Sequence, residues 1–159
     1  MEINELFGLP AHPLVVHGAV VLLPLAAIAT ILTAILPRAR RSYALLTFLV
    51  ALTATTAVGL AQQSGEALEE RVDETELVEE HTEQGETVLP WAIALTVTAA
   101  AVTVTELLRR RYPQLTAARV TAVLILAAVI TGGGATWTVV DVGHSGARAT
   151  WDDLPAEGG

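Results

Sequence analysis

The sequence predicts an all-α polytopic membrane protein, a four-transmembrane-helix bundle with a short amphipathic helix in its outer loop. Three observations lead to this prediction. Of the 159 residues, 52% are hydrophobic and only 16% are charged, whereas soluble domains carry about 25% charged residues. Four long apolar stretches contain no charged residue except Glu106, and each is close to the roughly 20 residues that cross a bilayer. Most of the arginines lie in two short connections.

The apolar stretches define four spans within a single membrane domain, 1–159. These spans are residues 13–36, 43–61, 88–108 and 120–140, with an acidic outer loop at 62–87 and a C-terminal tail at 142–159. A soluble bundle with a very large core is the alternative, but four uncharged spans of this length exceed what a small globular core buries. The residues before the first span include Glu2 and no basic residue, so we expect this span to be retained and not cleaved as a signal peptide.

The basic residues predict the orientation. All nine are arginines, and seven of them lie between spans one and two or between spans three and four. Because arginine-rich short loops stay in the cytoplasm, both termini and the 62–87 loop are predicted outside the plasma membrane. Trp91 and Trp151 near the outer ends of spans three and four are expected to act as interfacial anchors.

The outer loop is predicted to contain a helix of its own. Asp73 followed by Glu76 three residues later forms a capping-box pattern. Leu77, His81 and Val88 then share one face, with the glutamates mostly opposite. We therefore expect this acidic amphipathic helix to cap the bundle with His81 turned inward.

Composition excludes several functions. The chain has a formal net charge of −8 and no cysteine, which rules out disulfides and thiolate metal sites. Its carboxylates concentrate near the chain ends and between Glu66 and Glu86. No basic face is available to neutralise phosphates, so nucleic acid is not an expected partner.

The candidate site is a set of histidines and neighbouring polar residues that the predicted topology places on the outer side. His17 lies one turn inside the hydrocarbon edge, where a polar side chain needs a partner. Asp141 precedes His144 by three residues and can fix the tautomer of its imidazole. The predicted cofactor-binding or metal-binding residues are His12, His17, His81, His144 and Glu66, supported by Asp141, Gln62 and Ser145. A simple hydrogen bond to a neighbouring carbonyl is the alternative for His17, and an inconsequential interfacial position is the alternative for His81.

Residues 8–17 begin Gly-Leu-Pro-Ala-His-Pro and end in Val-His, and residues 142–147 read Val-Gly-His-Ser-Gly-Ala, with Trp151 after them. These two segments resemble the HP-x-x-VH start and the glycine-flanked final histidine of the bacterial membrane family called domain of unknown function 2231. Residues 64–70 and the Glu80-His81 region are similar to its actinobacterial branch. The resemblance covers nearly the whole chain. It implies a four-helix membrane protein that is suspected of heme or redox association, and it supplies no catalytic residues.

The leading interpretation is a membrane protein whose His/carboxylate cluster binds a metal ion or b-type heme at the outer face. Imidazole suits zinc, iron and copper, and a heme would need two opposed histidines, His17 with His81 or His144. A non-catalytic structural or accessory membrane subunit is the main alternative. A small transporter or proton relay is a third, weakened because no internal repeat or intramembrane charge is evident. The lipid bilayer is an expected partner; enzymatic activity, a homo-oligomer and a redox partner protein are left open.

Overall fold

The chain forms four long helices and one short one. In the computed structural model the described residues are 5–6, 9–69, 72 and 75–151. They open with a two-residue antiparallel pairing of β1 (Glu5–Leu6) and β2 (Leu9–Pro10). The helices are α1 (Ala11–Ile35), α2 (Pro37–Glu69), α3 (Glu76–Glu86), α4 (Val88–Leu108) and α5 (Ala118–Trp151), with a 3₁₀ turn at Pro113–Thr116. Four helical segments are long and apolar enough to cross a membrane, which confirms the predicted membrane bundle.

Small residues fill the interior of the bundle and large apolar residues cover its outside. The fully or nearly fully buried positions include Ala26, Ala51, Ala54, Ala92, Ala99 and Ala135. Val97, Leu107 and Trp137 are 63%, 70% and 72% exposed. Small residues let helices approach closely where no hydrophobic force drives them together, and an apolar surface this large is a liability in water. The outer surface is therefore the lipid-facing one, and the soluble alternative does not fit.

Two helices run well beyond the predicted spans. α2 continues to Glu69 and α5 to Trp151, whereas their apolar stretches end at 61 and 140. Hydropathy marks where a helix leaves the hydrocarbon, but the helix itself continues through good helix formers such as Ala, Leu, Glu and Arg until a breaker stops it. These extensions form walls above the membrane-spanning part of the bundle.

The predicted outer helix is present as α3, but its cap differs from the prediction. The N-cap is Thr75, whose hydroxyl accepts a hydrogen bond from the backbone N–H of Val78 at 3.3 Å. Asp73 lies outside the described residues. His81 is half-buried and Val88 is buried, so the expected inward face is confirmed.

The two helical hairpins share a pattern of buried positions, although the residue letters alone show no evident repeat. A shift of 81 positions carries α2 onto α5, pairing Ala51 with Gly132, Ala54 with Ala135, Val58 with Val139 and Ser64-Gly65 with Ser145-Gly146. Every one of these pairs is buried or partly buried in both helices. Over the full length of the two helices, few of the residues paired by this shift are identical. The repeat is therefore not evident from residue identities alone.

The first helix of each hairpin repeats as well. A shift of 69 positions carries α1 onto α4, pairing buried Leu23 with Ala92, Ala26 with Leu95 and Thr30 with Ala99. The same shift pairs His12 with His81. α1 and α4 each pack against both α2 and α5, which is the arrangement of two hairpins related by an approximate two-fold axis along the bundle.

The two ends of the bundle differ in chemistry. The arginine end comprises the α1–α2 and α4–α5 junctions together with the first turns of α2 and α5, and it carries seven arginines. The histidine end comprises α3, the start of α1 and the ends of α2 and α5. At the arginine end, Arg40 is buried and donates to the carbonyls of Thr33 at 3.2 Å and Ala34 at 2.6 Å. It thereby caps the last turn of α1.

Reporter fusions test which end faces the cytoplasm. Fusions at Arg40 and Arg110 should read cytoplasmic because their connections carry the arginine excess, and a fusion at Glu76 should read external. Paired phosphatase and fluorescent-protein reporters measure both states. An external signal at Arg40 would place the histidine end in the cytoplasm instead.

Candidate functional site

His12 joins the start of α1 to the end of α2. Its Nδ1 lies 2.9 Å from the carbonyl oxygen of Ala61 and 3.4 Å from the hydroxyl of Ser64. The ring packs on Gly65, where an added Cβ would lie 3.1 Å from the imidazole Cε1. The contact therefore needs a glycine-sized residue at that position and a hydrogen-bond acceptor one turn earlier.

His81 makes the equivalent contact between α3 and the end of α5. Its Nδ1 lies 3.1 Å from the hydroxyl of Ser145, and an added Cβ on Gly146 would lie 2.8 Å from its Cε1. Burial lowers the pKa of the His81 imidazole, and a positive charge on His12 lowers it further. The repeat of the hairpins thus brings two histidine contacts of the same design to one end of the bundle.

The hydrogen bonds fix the tautomer of these rings. A carbonyl oxygen only accepts, so Nδ1 of neutral His12 must carry the proton. The Ser145 hydroxyl donates its own proton to the Val142 carbonyl at 3.1 Å, so it accepts from Nδ1 of His81. In both neutral imidazoles the lone pair is then on Nε2, the form in which a histidine binds iron or another metal.

His17 and His144 have the same tautomer for a different reason. Nδ1 of His17 donates to the carbonyl of Pro13, and Nδ1 of His144 donates to the carbonyl of Val140 at 2.8 Å, each within its own helix. Both side chains are exposed. Their Nε2 lone pairs are also directed by the backbone and need no carboxylate to set them.

A cavity of about 580 Å³ lies at the histidine end between α1, α2, α3 and α5. Its walls are mostly apolar and include Val58 and Val139, and its polar lining comes from His17, His81 and Gln62. Ligand pockets typically measure roughly 300–1,000 Å³, with apolar walls and a few polar groups. The cavity therefore has the size and lining of a small-molecule site.

α3 closes one side of this cavity. The side-chain amide of Gln62 on α2 donates to the carbonyl of Gly85 at 2.9 Å. Arg148 on α5 approaches Glu80 at 3.8 Å, a weak exposed ion pair. Together with the His81 contact, these bonds tie α3 to both neighbouring helix ends.

A sequence model described as a predicted membrane protein family, DUF2231, matches residues 8–154. The chain belongs to this family. No protein of curated function and no solved structure matches it. The matched region contains both histidine contacts and the whole cavity, so the site just described lies within the DUF2231 domain. The family expected from the sequence is confirmed, and the actinobacterial branch stays a prediction.

The structure brings together only some of the residues predicted for the DUF2231 site. His17, His81 and Gln62 line the cavity, and Ser145 supports His81. Among the described residues, no group of three or more His, Asp or Glu side chains is placed to hold a metal ion. That His17 and His144 share one ligand stays a prediction.

In the part of the chain that the structure describes, no hydrogen bond joins the carboxylate of Glu66 or Asp141 of this DUF2231 protein to an imidazole. Glu66 and Asp141 are exposed. The Val140 carbonyl, and not the Asp141 carboxylate, receives the Nδ1 proton of His144. The spacing of three residues makes a hydrogen bond between Asp141 and His144 geometrically feasible. A histidine ring that folds back over its own helix, however, lies nearer to the backbone carbonyl one turn earlier.

Sequence reasoning missed the two glycines that receive the histidine rings, Gly65 and Gly146, and the hydroxyl of Ser64. The signal for them was a Ser-Gly dipeptide near the end of each second hairpin helix of the DUF2231 chain. The interfacial position expected for Trp91 stays a prediction; its partly buried ring packs on Gly134 of α5. The side chain of Trp151 lies outside the described residues.

Proposed function

We propose that this protein binds a b-type heme in the cavity at its histidine end, on the outer face of the plasma membrane. The observation that carries the proposal is an apolar cavity of about 580 Å³ lined by His17 and His81. In both rings Nδ1 donates a hydrogen bond to an acceptor within the protein. Nε2 is therefore the atom that would bind iron.

The number of available ligands favours heme over a bare metal ion. Structural and catalytic zinc sites use three or four protein ligands, and no such group gathers in the described part of the chain. Heme iron needs only one or two axial ligands, of which imidazole is a common one. Heme would supply one-electron chemistry, and the apolar walls at Val58 and Val139 would keep water from it.

The accessory-subunit alternative also has a specific observation in its favour. His12 and His81 occupy equivalent positions of the repeated hairpins and make equivalent contacts, so an imidazole there also serves to hold the helices together. His17 is different, because the position equivalent to it in the second hairpin is Glu86. His17 is therefore the residue that separates ligand binding from architecture.

The test is heme occupancy and stability of three variants, measured by the Soret band and by thermal unfolding in detergent. His17→Ala should lower heme affinity by at least about tenfold with little change in Tm, because its side chain is exposed. His81→Ala should lower both affinity and Tm. His144→Ala tests the predicted pairing of His17 with His144. His144 does not line the cavity and bonds the Val140 carbonyl of its own helix, so both affinity and Tm should be unchanged if His81 is the second ligand, whereas loss of heme would assign that position to His144.

Two results would overturn the heme proposal. One is the absence of a Soret band after the purified protein is reconstituted with hemin. The other is full heme affinity in both His17→Ala and His81→Ala. A drop in Tm for His81→Ala without any heme binding would support the accessory alternative.

A further inference from the structure

The arginine end holds a second cavity, of about 270 Å³, on the opposite side of the bundle from the histidines. It lies between the start of α2, the end of α4 and the first turn of α5. Its polar lining comes from Arg40, Arg41, Arg109, Glu106 and Thr121. Three arginines and one glutamate therefore line the cavity, which gives it an excess of positive charge.

Arg40 is the anchor of this cavity. It is only 6% exposed, and its Nε and Nη2 atoms are held by the Thr33 and Ala34 carbonyls. Those carbonyls lie at the C-terminus of α1, where the helix dipole partly offsets a positive charge. The bonds of Arg40 to α1 use Nε and Nη2, and the residue also lines the cavity.

The carboxylates at hand do not neutralise Arg40 or Arg41. Within the described ranges the ion pairs are Arg109 with Glu106 and Arg148 with Glu80. Glu106 is thus already engaged by Arg109. A buried charge without a counter-ion is unfavourable, and the α1 carbonyls offset only part of the cost of burying Arg40. An anion that enters this cavity would therefore stabilise the guanidinium group further.

We propose that this cavity binds the phosphate of an anionic phospholipid. A phosphodiester accepts the paired N–H donors of a guanidinium group and carries one negative charge. Thr121 adds a hydroxyl donor in the first turn of α5, where the helix dipole also favours an anion. Basic pockets between transmembrane helices are known sites for acidic headgroups.

The surroundings favour a lipid over a free phosphate ion. Ile35 lines the cavity and is 45% exposed, and Leu107, next to Glu106, is 70% exposed. The cavity therefore lies where the lipid-facing surface meets the arginines. A headgroup bound at this level would have its acyl chains along these apolar side chains, which a soluble phosphate cannot use.

Bound phospholipid can be counted by native mass spectrometry of protein taken from nanodiscs of phosphatidylcholine with or without phosphatidylglycerol. The wild-type protein should retain phosphatidylglycerol selectively. Arg41→Gln should weaken this retention about fivefold, since each arginine near an acidic headgroup contributes about 1 kcal/mol. Arg38→Gln is the matched control, because Arg38 also lies near the start of α2 but outside the cavity lining, and it should retain lipid like the wild type.

Glu106→Gln provides a test of opposite sign. Removing this carboxylate frees Arg109 and should strengthen phosphatidylglycerol retention about fivefold, whereas a mutation that merely damages the fold would weaken it. Equal losses in Arg38→Gln and Arg41→Gln, or weaker retention in Glu106→Gln, would overturn the site. Displacement of the lipid by millimolar inorganic phosphate would support a phosphate site but assign it to a soluble anion; no displacement supports the lipid.

Discussion

Replacing Gly134 with alanine is expected to destabilise the bundle more than any other single methyl group added along α5. The ring of Trp91 occupies the space where the new Cβ would be, closer than any real carbon–carbon contact. Trp91 packs against the buried core cluster and cannot move aside without disturbing the start of α4. Overpacking of this kind costs about 3 kcal/mol, which thermal unfolding in detergent will show as a lowered Tm.

Gly133 is the matched control for this substitution. It is exposed, and a Cβ built on it meets nothing within 4 Å, so Gly133→Ala and even Gly133→Leu should leave Tm unchanged. The double variant Gly134→Ala with Trp91→Leu should recover part of the lost stability, because the two positions share one contact. An unchanged Tm in Gly134→Ala alone would show that α4 and α5 are not packed as described.

Replacing Gly146 with alanine is expected to detach α3 from α5. The added Cβ would lie 2.8 Å from Cε1 of His81, so the imidazole must shift away from α5, and its 3.1 Å hydrogen bond to Ser145 is weakened. A lost hydrogen bond of a half-buried group costs about 1–2 kcal/mol. Hydrogen exchange at the α3 amides should therefore accelerate about tenfold, because local opening of α3 becomes that much more frequent.

Alanine substitutions at two other glycines provide a control and a milder version of this change. Gly143→Ala adds a Cβ with nothing within 4 Å on the same helix and should leave α3 exchange unchanged. Gly65→Ala approaches His12 at 3.1 Å, a milder clash, and should loosen the α1–α2 contact by a smaller factor. If Gly146→Ala left the protection of α3 intact, the His81 contact would not be what holds this helix in place.

The sequence predicted those features of the fold that depend on the thickness of the bilayer. The ends of α4 match the predicted span 88–108, because the length of an apolar stretch is set by hydrocarbon thickness. The ends of α2 and α5 did not follow, because beyond the membrane a helix stops where its residues stop favouring it, and hydropathy carries no information about that. The register between the two hairpins was also hidden, since it resides in burial and not in residue identity.

The sequence predicted at which end of the bundle the candidate site lies, but not which of its residues contact one another. Counting spans places His12, His17, His81 and His144 at the same end, but it does not say how each helix is rotated about its axis. That rotation turns His81 onto Gly146 and into the cavity lining, and leaves Asp141 exposed. Partner choice between helices depends on three-dimensional packing that no spacing along one helix encodes.

Because the hairpin is repeated, the first half of the chain can be aligned with the second half. Duplication and fusion of a gene for a self-pairing hairpin would produce two copies that began alike. Residues that both copies still share are then the ones that the fold requires. His12 with His81 and the two Ser-Gly dipeptides are shared by both copies, so they belong to the common scaffold. His17 opposite Glu86 and His144 opposite Gln63 are where the copies have diverged. The asymmetry between the two halves therefore selects His17 and His144 as the first positions to test for a role beyond holding the helices together.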